Sequence, residues 1–333
     1  MKRSLPWALV CAVFLWLVSY SGAQQAGTTT AELNQPAPPA TGAALNFYDV
    51  ALLRWYSANL TTSFGVGSNP VGIAFDGANI WVVNSISNSV SKLQANDGTV
   101  LGTFPVGAEP FAVVFDGANV WVVNSNDNNV MKLRASDGSL LGTFPVGNGP
   151  VWEAFDGANI WVSNAFDNTV TKLRASDGTV LRTCHVGTLP TGVAFDGANV
   201  WVANSGAATI TKLRAGDCAT LGTFPVGNDP RSIAFDGANI WTTNGGSNSV
   251  TKLQASTGTV IGAYSVGSEP VGLAFDGVSI WVANFLGNSV TKLRASDGTV
   301  LGTFPVGGNP ARVAFDGSNI WVSINAGGVV SKM

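Results

Sequence analysis

One histidine, three cysteines and three methionines are spread over 333 residues, and charged residues make up only 11%. So few histidines and cysteines leave no His-rich or Cys-rich metal site. The 17 basic and 20 acidic residues give a net charge of -3. A protein that neutralises a phosphate backbone needs a basic footprint instead, so no nucleic-acid partner is expected. Low charge combined with 46% hydrophobic residues excludes disorder over most of the length. What the chain has in excess is glycine, 40 residues of it, which points to many turns.

Lys2 and Arg3 precede an apolar run from Trp7 to Val18, and Ser21-Gly22-Ala23 follows. This is the pattern of a signal peptide over residues 1–23, cleaved after Ala23. The run has about 12 residues against the roughly 20 needed to span a bilayer, so no transmembrane segment is expected after cleavage. The mature chain loses two of its 17 basic residues and stands at -5. Export to a secreted, periplasmic or cell-surface location is expected. Residues 24–57 begin as a Thr/Ala/Pro/Gln-rich tether. Within them Leu45, Tyr48, Leu52 and Trp55 recur at helical spacing and suggest a short apolar segment.

From residue 58 onward a 40-residue period governs the chain. It carries Pro70 to Pro310, Asp76 to Asp316, Trp81 to Trp321 and Lys92 to Lys332, seven copies each. Each copy divides into four short strands: VGIAF ending at Phe75, NIWVVN from Asn79 to Asn84, a third from Ser89 to Ala95, and TVLGTFPV. Asp-Gly pairs mark the turns between them. Apolar residues on both faces of NIWVVN mean a sheet covered on both sides. Pro105 removes a ladder donor and so belongs on an edge strand. One parity conflict stands out: Val90 and Lys92 share a face while Leu93 takes the other. A bulge, or a lysine stem lying along apolar surface, would resolve it.

Four-stranded antiparallel units of this length indicate an all-β, seven-bladed β-propeller over residues 58–333. The seventh copy lacks its fourth strand. Asn59 to Gly67, NLTTSFGVG, aligns with TVLGTFPVG at the same offset and would close the ring as the outer strand of the last blade. The segments VGxxPxxxAFDGxNIWVxN and VTKLRASDGTVLGTFPVG resemble the YVTN-repeat (YncE-like) propeller family, and more distantly NHL-repeat proteins and streptogramin (virginiamycin B) lyases. That resemblance implies the propeller fold. The lyase branch would imply a histidine base and a Mg²⁺ held by acidic residues. The one histidine, His185, falls in an outer strand and matches no such base.

Residues that break the repeat are the candidates for function. Glu109, Asp229 and Glu269 share one column, between a fourth strand and the next first strand. Asp127 and Asp167 share another, between second and third strands. Both loop sets lie at one end of an antiparallel blade, so one face of the disc is expected to be acidic. Phe111, Trp152, Phe166 and Phe285 fall in the same regions and are expected to be exposed or ligand-facing. Glu153 sits in a column otherwise aliphatic and needs a partner or a raised pKa. Arg231 or Arg312 could supply that partner across the ring mouth. The Trp column and the FDG phenylalanines are core, and Asn84 to Asn284 should bond loop backbone. Cys184 and Cys218 lie at far ends of adjacent blades, where a disulfide is geometrically doubtful.

The function expected is that of a non-catalytic, exported binding or interaction propeller, a monomer. Its acidic, aromatic face would hold a small molecule, a glycan, or a peptide or protein. No nucleophile–base pair or phosphate loop is present. No cofactor is expected, a divalent cation being the one that the acids could admit. The alternatives are a metal-dependent lyase or lactonase-like hydrolase on the same face, and a structural cell-envelope protein.

Overall fold

The computed structural model describes residues 62–333; the residues expected to form a signal sequence, a tether, an apolar segment and the start of the closing strand lie outside that range. Seven four-stranded antiparallel sheets follow one another around a ring. The first, blade 1, is built from Pro70–Phe75, Asn79–Asn84, Ser89–Gln94 and Val100–Pro105. Blades 2 to 6 repeat it, and blade 7 holds Pro310–Phe315, Ile320–Ile324 and Val329–Lys332. Its fourth strand is Thr62–Gly65, paired antiparallel to Val329–Lys332 with Phe64 opposite Val330. The ring is therefore closed by the N-terminal strand, as the 40-residue alignment requires.

The core lies between blades. Trp81, Val83 and Val90 of blade 1 pack on Val120, Val122 and Leu133 of blade 2. The same set recurs where Trp321 meets Ile80, Val82 and Leu93 across the closure. Both faces of every sheet are thus buried against a neighbour, which explains the apolar residues on both sides of the second strand. The outer strand alternates exposed and half-buried positions and ends in an exposed proline.

The repeated polar residues latch this core. Trp81 Nε1 donates to Asp76 Oδ2 at 2.8 Å, while Asp76 Oδ1 accepts the backbone N–H groups of Ala78 and Asn79. The indole bond recurs in all seven blades. Burial raises the Asp76 carboxyl, but these donors outweigh it and hold its pKa below the usual value. The FDG aspartate is thus more than a turn residue: it pairs the buried indole N–H, which would otherwise lack a partner.

Lys92 resolves the parity conflict by leaving its own blade. It lies opposite Trp81 in the register, 5.2 Å above the indole centroid. Its Nζ donates to Ala135 O at 2.6 Å and Ser136 O at 3.2 Å in blade 2. The ammonium caps the next blade's turn while its stem fills the interface. Lys332 does the same to Ala95 and Asn96 across the ring closure. A bulge is also present, with Lys92 opposite Gly102 and Leu93 opposite Val100, so the extra residue is Leu101 in the outer strand.

The two off-repeat cysteines form a disulfide, Cα–Cα 5.9 Å. This corrects the expectation from blade geometry. At other interfaces the fourth-strand aromatic of one blade lies under the turn glycine of the next: Phe104 against Gly138, Phe144 against Gly178, Phe224 against Gly258. Cys184 and Cys218 occupy those two positions at the junction of blades 3 and 4. Adjacent blades lean so that positions 34 residues apart come together.

Candidate functional site at the channel mouth

The 2–3 loops and the connections between blades lie at one end of the ring. Ser125 N donates to Glu109 O, Gly245 N to Asp229 O and Phe285 N to Glu269 O. Glu109, Asp229 and Glu269 occupy the left-handed region, with φ of 51°, 54° and 50°. That conformation is imposed by the loop, since Asn69, Leu189 and Asn309 adopt it in the same column. Asn88 Oδ1 accepts from Glu109 N at 3.0 Å and Asn248 Oδ1 from Glu269 N at 2.8 Å, tying each connection to the preceding blade. The Asn84 column bonds loop backbone as expected, with Asn84 Oδ1 accepting from Gly67 N and Asn124 Oδ1 from Gly107 N. The oxygens of Asn244 and Asn284 have no partner.

Much of the acidity is spent on architecture. Asp127 accepts from Ala108 N at 2.7 Å, and Asp167 from Asn148 N at 2.7 Å and Asn148 Nδ2 at 2.8 Å. Arg231 binds Asp229 through Nε at 2.8 Å and Nη2 at 2.7 Å. Its Nη2 also lies 3.0 Å from Glu269 Oε1. Arg231 is therefore the partner of two column acids and makes no ion pair with Glu153. Burial raises the Glu269 carboxyl, Arg231 opposes this, Asp229 adds to it, and the pKa ends above the usual value.

The aromatics divide. Phe166 is 50% exposed and lies over Gly149, whereas Phe285 is only 5% exposed. In blade 6 it is the next residue, Leu286, that stands out, 54% exposed, and Ile86 of blade 1 is 72% exposed. Both occupy the column of Phe166, so subtracting the repeat at that position as well would have found them. Phe111 and Trp152 are half-buried at the inner strands. Trp152 also packs on the core between blades 3 and 4.

Trp152 and Arg312 are the only large side chains in a column that otherwise reads Gly72, Ala112, Gly192, Ser232 and Gly272. The column is small because inner strands crowd there: a Cβ on Gly192 would meet Arg231 O at 2.6 Å and Ser232 Cα at 2.9 Å. Arg312 turns across the mouth, with its guanidinium carbon 3.8 Å from the Trp152 ring centroid and 5.5 Å from that of Phe111. Its backbone is fixed by an irregularity between Pro310 and Val313. The Arg312 N–H is taken by Ser323 Oγ at 3.0 Å, and that hydroxyl donates to Val71 O of blade 1 at 2.7 Å. Residues of blades 2, 3 and 7 thus meet at one point.

Glu153 is 5% exposed and neither carboxyl oxygen has a hydrogen-bond partner. Its equivalents Val113, Val193, Ile233 and Leu273 belong to the inter-blade cores around Trp81, Trp161, Trp201 and Trp241. The core around Trp121 holds no aliphatic from that column. Burial raises the Glu153 pKa well above the usual value, against a downward pull from Arg312. Burial in turn lowers Arg312 to about 9, with Arg231 adding to the effect and Glu153 opposing it. Burial thus disfavours the charged form of both groups.

The fold and the mouth together define a seven-bladed β-propeller with one asymmetric end. No family model matches the chain, and no curated protein matches it. Among solved structures it is similar to a streptogramin B lyase, with TM-score 0.72 and 17% identity over 82% of this chain and 96% of that one. It is also similar to a catalytically inactive virginiamycin B lyase from Staphylococcus aureus with quinupristin, TM-score 0.72, 17% identity, 82% and 98% covered. A third is Kuenenia stuttgartiensis hydrazine synthase, TM-score 0.71, 17% identity, 80% and 95% covered. At this identity the likeness shows the fold, and propellers host unrelated activities.

The residues present do not fit a lyase centre built on a histidine base and an acid-held Mg²⁺. His185 is exposed on the outer strand of blade 3, opposite Thr169. Among the described residues no three His, Cys, Asp or Glu side chains gather as metal ligands.

Proposed function

We propose that the protein is an exported, monomeric, non-catalytic binding propeller of YVTN type, holding a small molecule, glycan or peptide at its channel mouth. The observation that carries this reading is the meeting of Phe111, Trp152 and Arg312. Each breaks the repeat in a single blade, yet all converge on one place. Repeat architecture alone calls for none of them. Half-buried aromatics beside an arginine at one end of the ring are common anchors of recognition. Ile86, Phe166 and Leu286 stand on the loops of the same face and would extend a contact surface outward.

The test is a thermal-shift panel of sugars, short peptides and divalent ions on wild type and Trp152→Ala. A ligand that binds the native state raises the melting temperature by mass action. A stabilising ligand whose effect disappears in Trp152→Ala supports the reading. Stabilisation by a divalent ion alone, lost in Glu153→Gln, would replace it with the lyase or hydrolase reading. Silence across the panel would leave the structural envelope role.

A further inference from the structure

We infer that the channel mouth takes a ligand bearing a single carboxylate beside an apolar group, with the carboxylate on Arg312 and the apolar group on Trp152 and Phe111. This rests on the binding reading above and names the chemistry of its ligand.

Arg312 is a guanidinium held in place but not used. Its side chain makes one hydrogen bond, from Nη1 to Ala311 O at 3.4 Å, and no carboxylate lies within 4.0 Å of it among the described residues. A guanidinium carries five N–H donors in a planar fork. With its carbon 3.8 Å from the Trp152 centroid and 5.5 Å from that of Phe111, and one hydrogen bond made, most of its donors are left for a bidentate acceptor. Among the described residues no acid forms an ion pair with it, although Glu153 acts on it through space. Arg231, the other cation near the mouth, is held by Asp229 and Glu269. Glu153 is buried with both oxygens unpartnered, so it forms no ion pair with Arg312.

The surroundings choose among anions. Glu109, Asp127, Asp167, Asp229 and Glu269 ring the same end, and this field repels a dianionic phosphate or a polyanion more than a single carboxylate. The walls beside Arg312 are indole and phenyl rings, so the group next to the carboxylate is apolar. A peptide C-terminus ending in an apolar residue and a free aryl or alkyl carboxylate share this chemistry.

The probes are N-acetyl-L-phenylalanine and its C-terminal amide, titrated by calorimetry into the full-length exported chain. The expected result is that the acid binds at least about tenfold more tightly than the amide, a difference of one factor of ten in dissociation constant. Arg312→Gln should reduce the acid to the affinity of the amide, and Trp152→Ala should weaken both. Comparing the two probes on wild type needs no variant to fold. Equal binding of acid and amide, both lost in Trp152→Ala, overturns the carboxylate assignment and leaves the binding reading intact. Absence of acid binding to wild type also overturns it, and the panel above then judges the binding reading separately. If the acid binds, N-acetyl-L-phenylalanine in competition with a peptide ending in free phenylalanine shows which source of carboxylate binds more tightly.

Discussion

Breaking the Cys184–Cys218 bridge tests how adjacent blades are held together. The bridge closes a loop of 34 residues. In the chain-entropy account a loop of that length stabilises the native state by about 3.8 kcal/mol. At roughly 2 °C per kcal/mol for a domain of this size, reduction should lower the melting temperature by about 8 °C. The loss is not only covalent. Six of the seven blades pair their tryptophan with a ring on the fourth strand, as in Trp121 with Phe144 at 5.4 Å and Trp201 with Phe224 at 5.7 Å. Trp161 packs on Cys184 instead. Cys184→Phe combined with Cys218→Gly rebuilds the packing of the other blades. It should recover about 2 kcal/mol through burial of the ring, with about 1 kcal/mol more from the aromatic pair. Cys184→Phe alone should be worse than the double variant, because a Cβ at the turn position meets the ring at five other interfaces. Cys218→Gly alone should lose the bridge and gain nothing. Urea unfolding of wild type, both single variants and the double, with and without reductant, forms a complete cycle. If the double variant is no more stable than Cys184→Phe, the two positions are not coupled and the blade-lean argument is wrong. If reductant leaves the wild-type midpoint unchanged, the bridge does not hold the interface.

Glu153→Val should stabilise the fold by about 2 kcal/mol, since it removes a buried acid with no partner and restores the aliphatic column. Because the folded-state pKa is raised, the wild-type deficit is absent below the usual value of 4.5 and grows as pH rises above it towards the folded-state pKa. Glu153→Gln should flatten that pH dependence without the full gain, and a wild-type stability curve parallel to that of Glu153→Gln would refute the assignment. Asp236→Ala should cost about 2 kcal/mol in urea unfolding, because Trp241 Nε1 and the N–H groups of Ala238 and Asn239 lose their acceptor. The seven FDG carboxyls all titrate below their usual value. Their contribution is present above pH about 4 and lost as pH falls through their folded pKa values, so acid unfolding should set in below pH 4.

What could be read from the residues is what repeats within one blade. Strand number, the edge proline, the buried tryptophans and the closing strand all follow from a 40-residue period and alternation of side chains. Relations between blades were illegible, because they depend on how far one sheet leans over the next. Lys92 reaching Ala135 and Cys184 meeting Cys218 are both of this kind. The site was legible as a set of departures from the repeat but not as a set of partners. Arg231 was one of two arginines open to Glu153, and it binds Asp229 and Glu269 instead. Phe285 was expected to face a ligand and is buried, while its neighbour Leu286 stands out. Alternation fixes which face of a strand a residue takes. In a loop with left-handed residues it fixes nothing.

A ring of near-identical blades explains why its recognition surface is made from exceptions. Apart from Arg312 reaching across the mouth, each blade packs on its neighbours, so stability is close to a sum of similar interface contributions. Repeated residues cannot specify one ligand, because every copy presents the same group at the same radius. An asymmetric ligand needs side chains that occur once. Such residues cost stability where they replace a consensus packer, as Glu153 does in the core around Trp121. The other interfaces, latched by tryptophan–aspartate bonds and, except between blades 6 and 7, by lysine–carbonyl bonds, carry that cost. Trp152 and Arg312 displace only small residues, and Arg312 reaches across the mouth to the Trp152 ring. The stability cost of the site should then fall almost entirely on Glu153. Replacing Arg312 by glycine should leave the melting temperature nearly unchanged while removing binding, whereas Trp152→Gly should also cost stability because its ring packs on the core between blades 3 and 4; a large drop in melting temperature for Arg312→Gly would mean that Arg312 belongs to the frame of the ring.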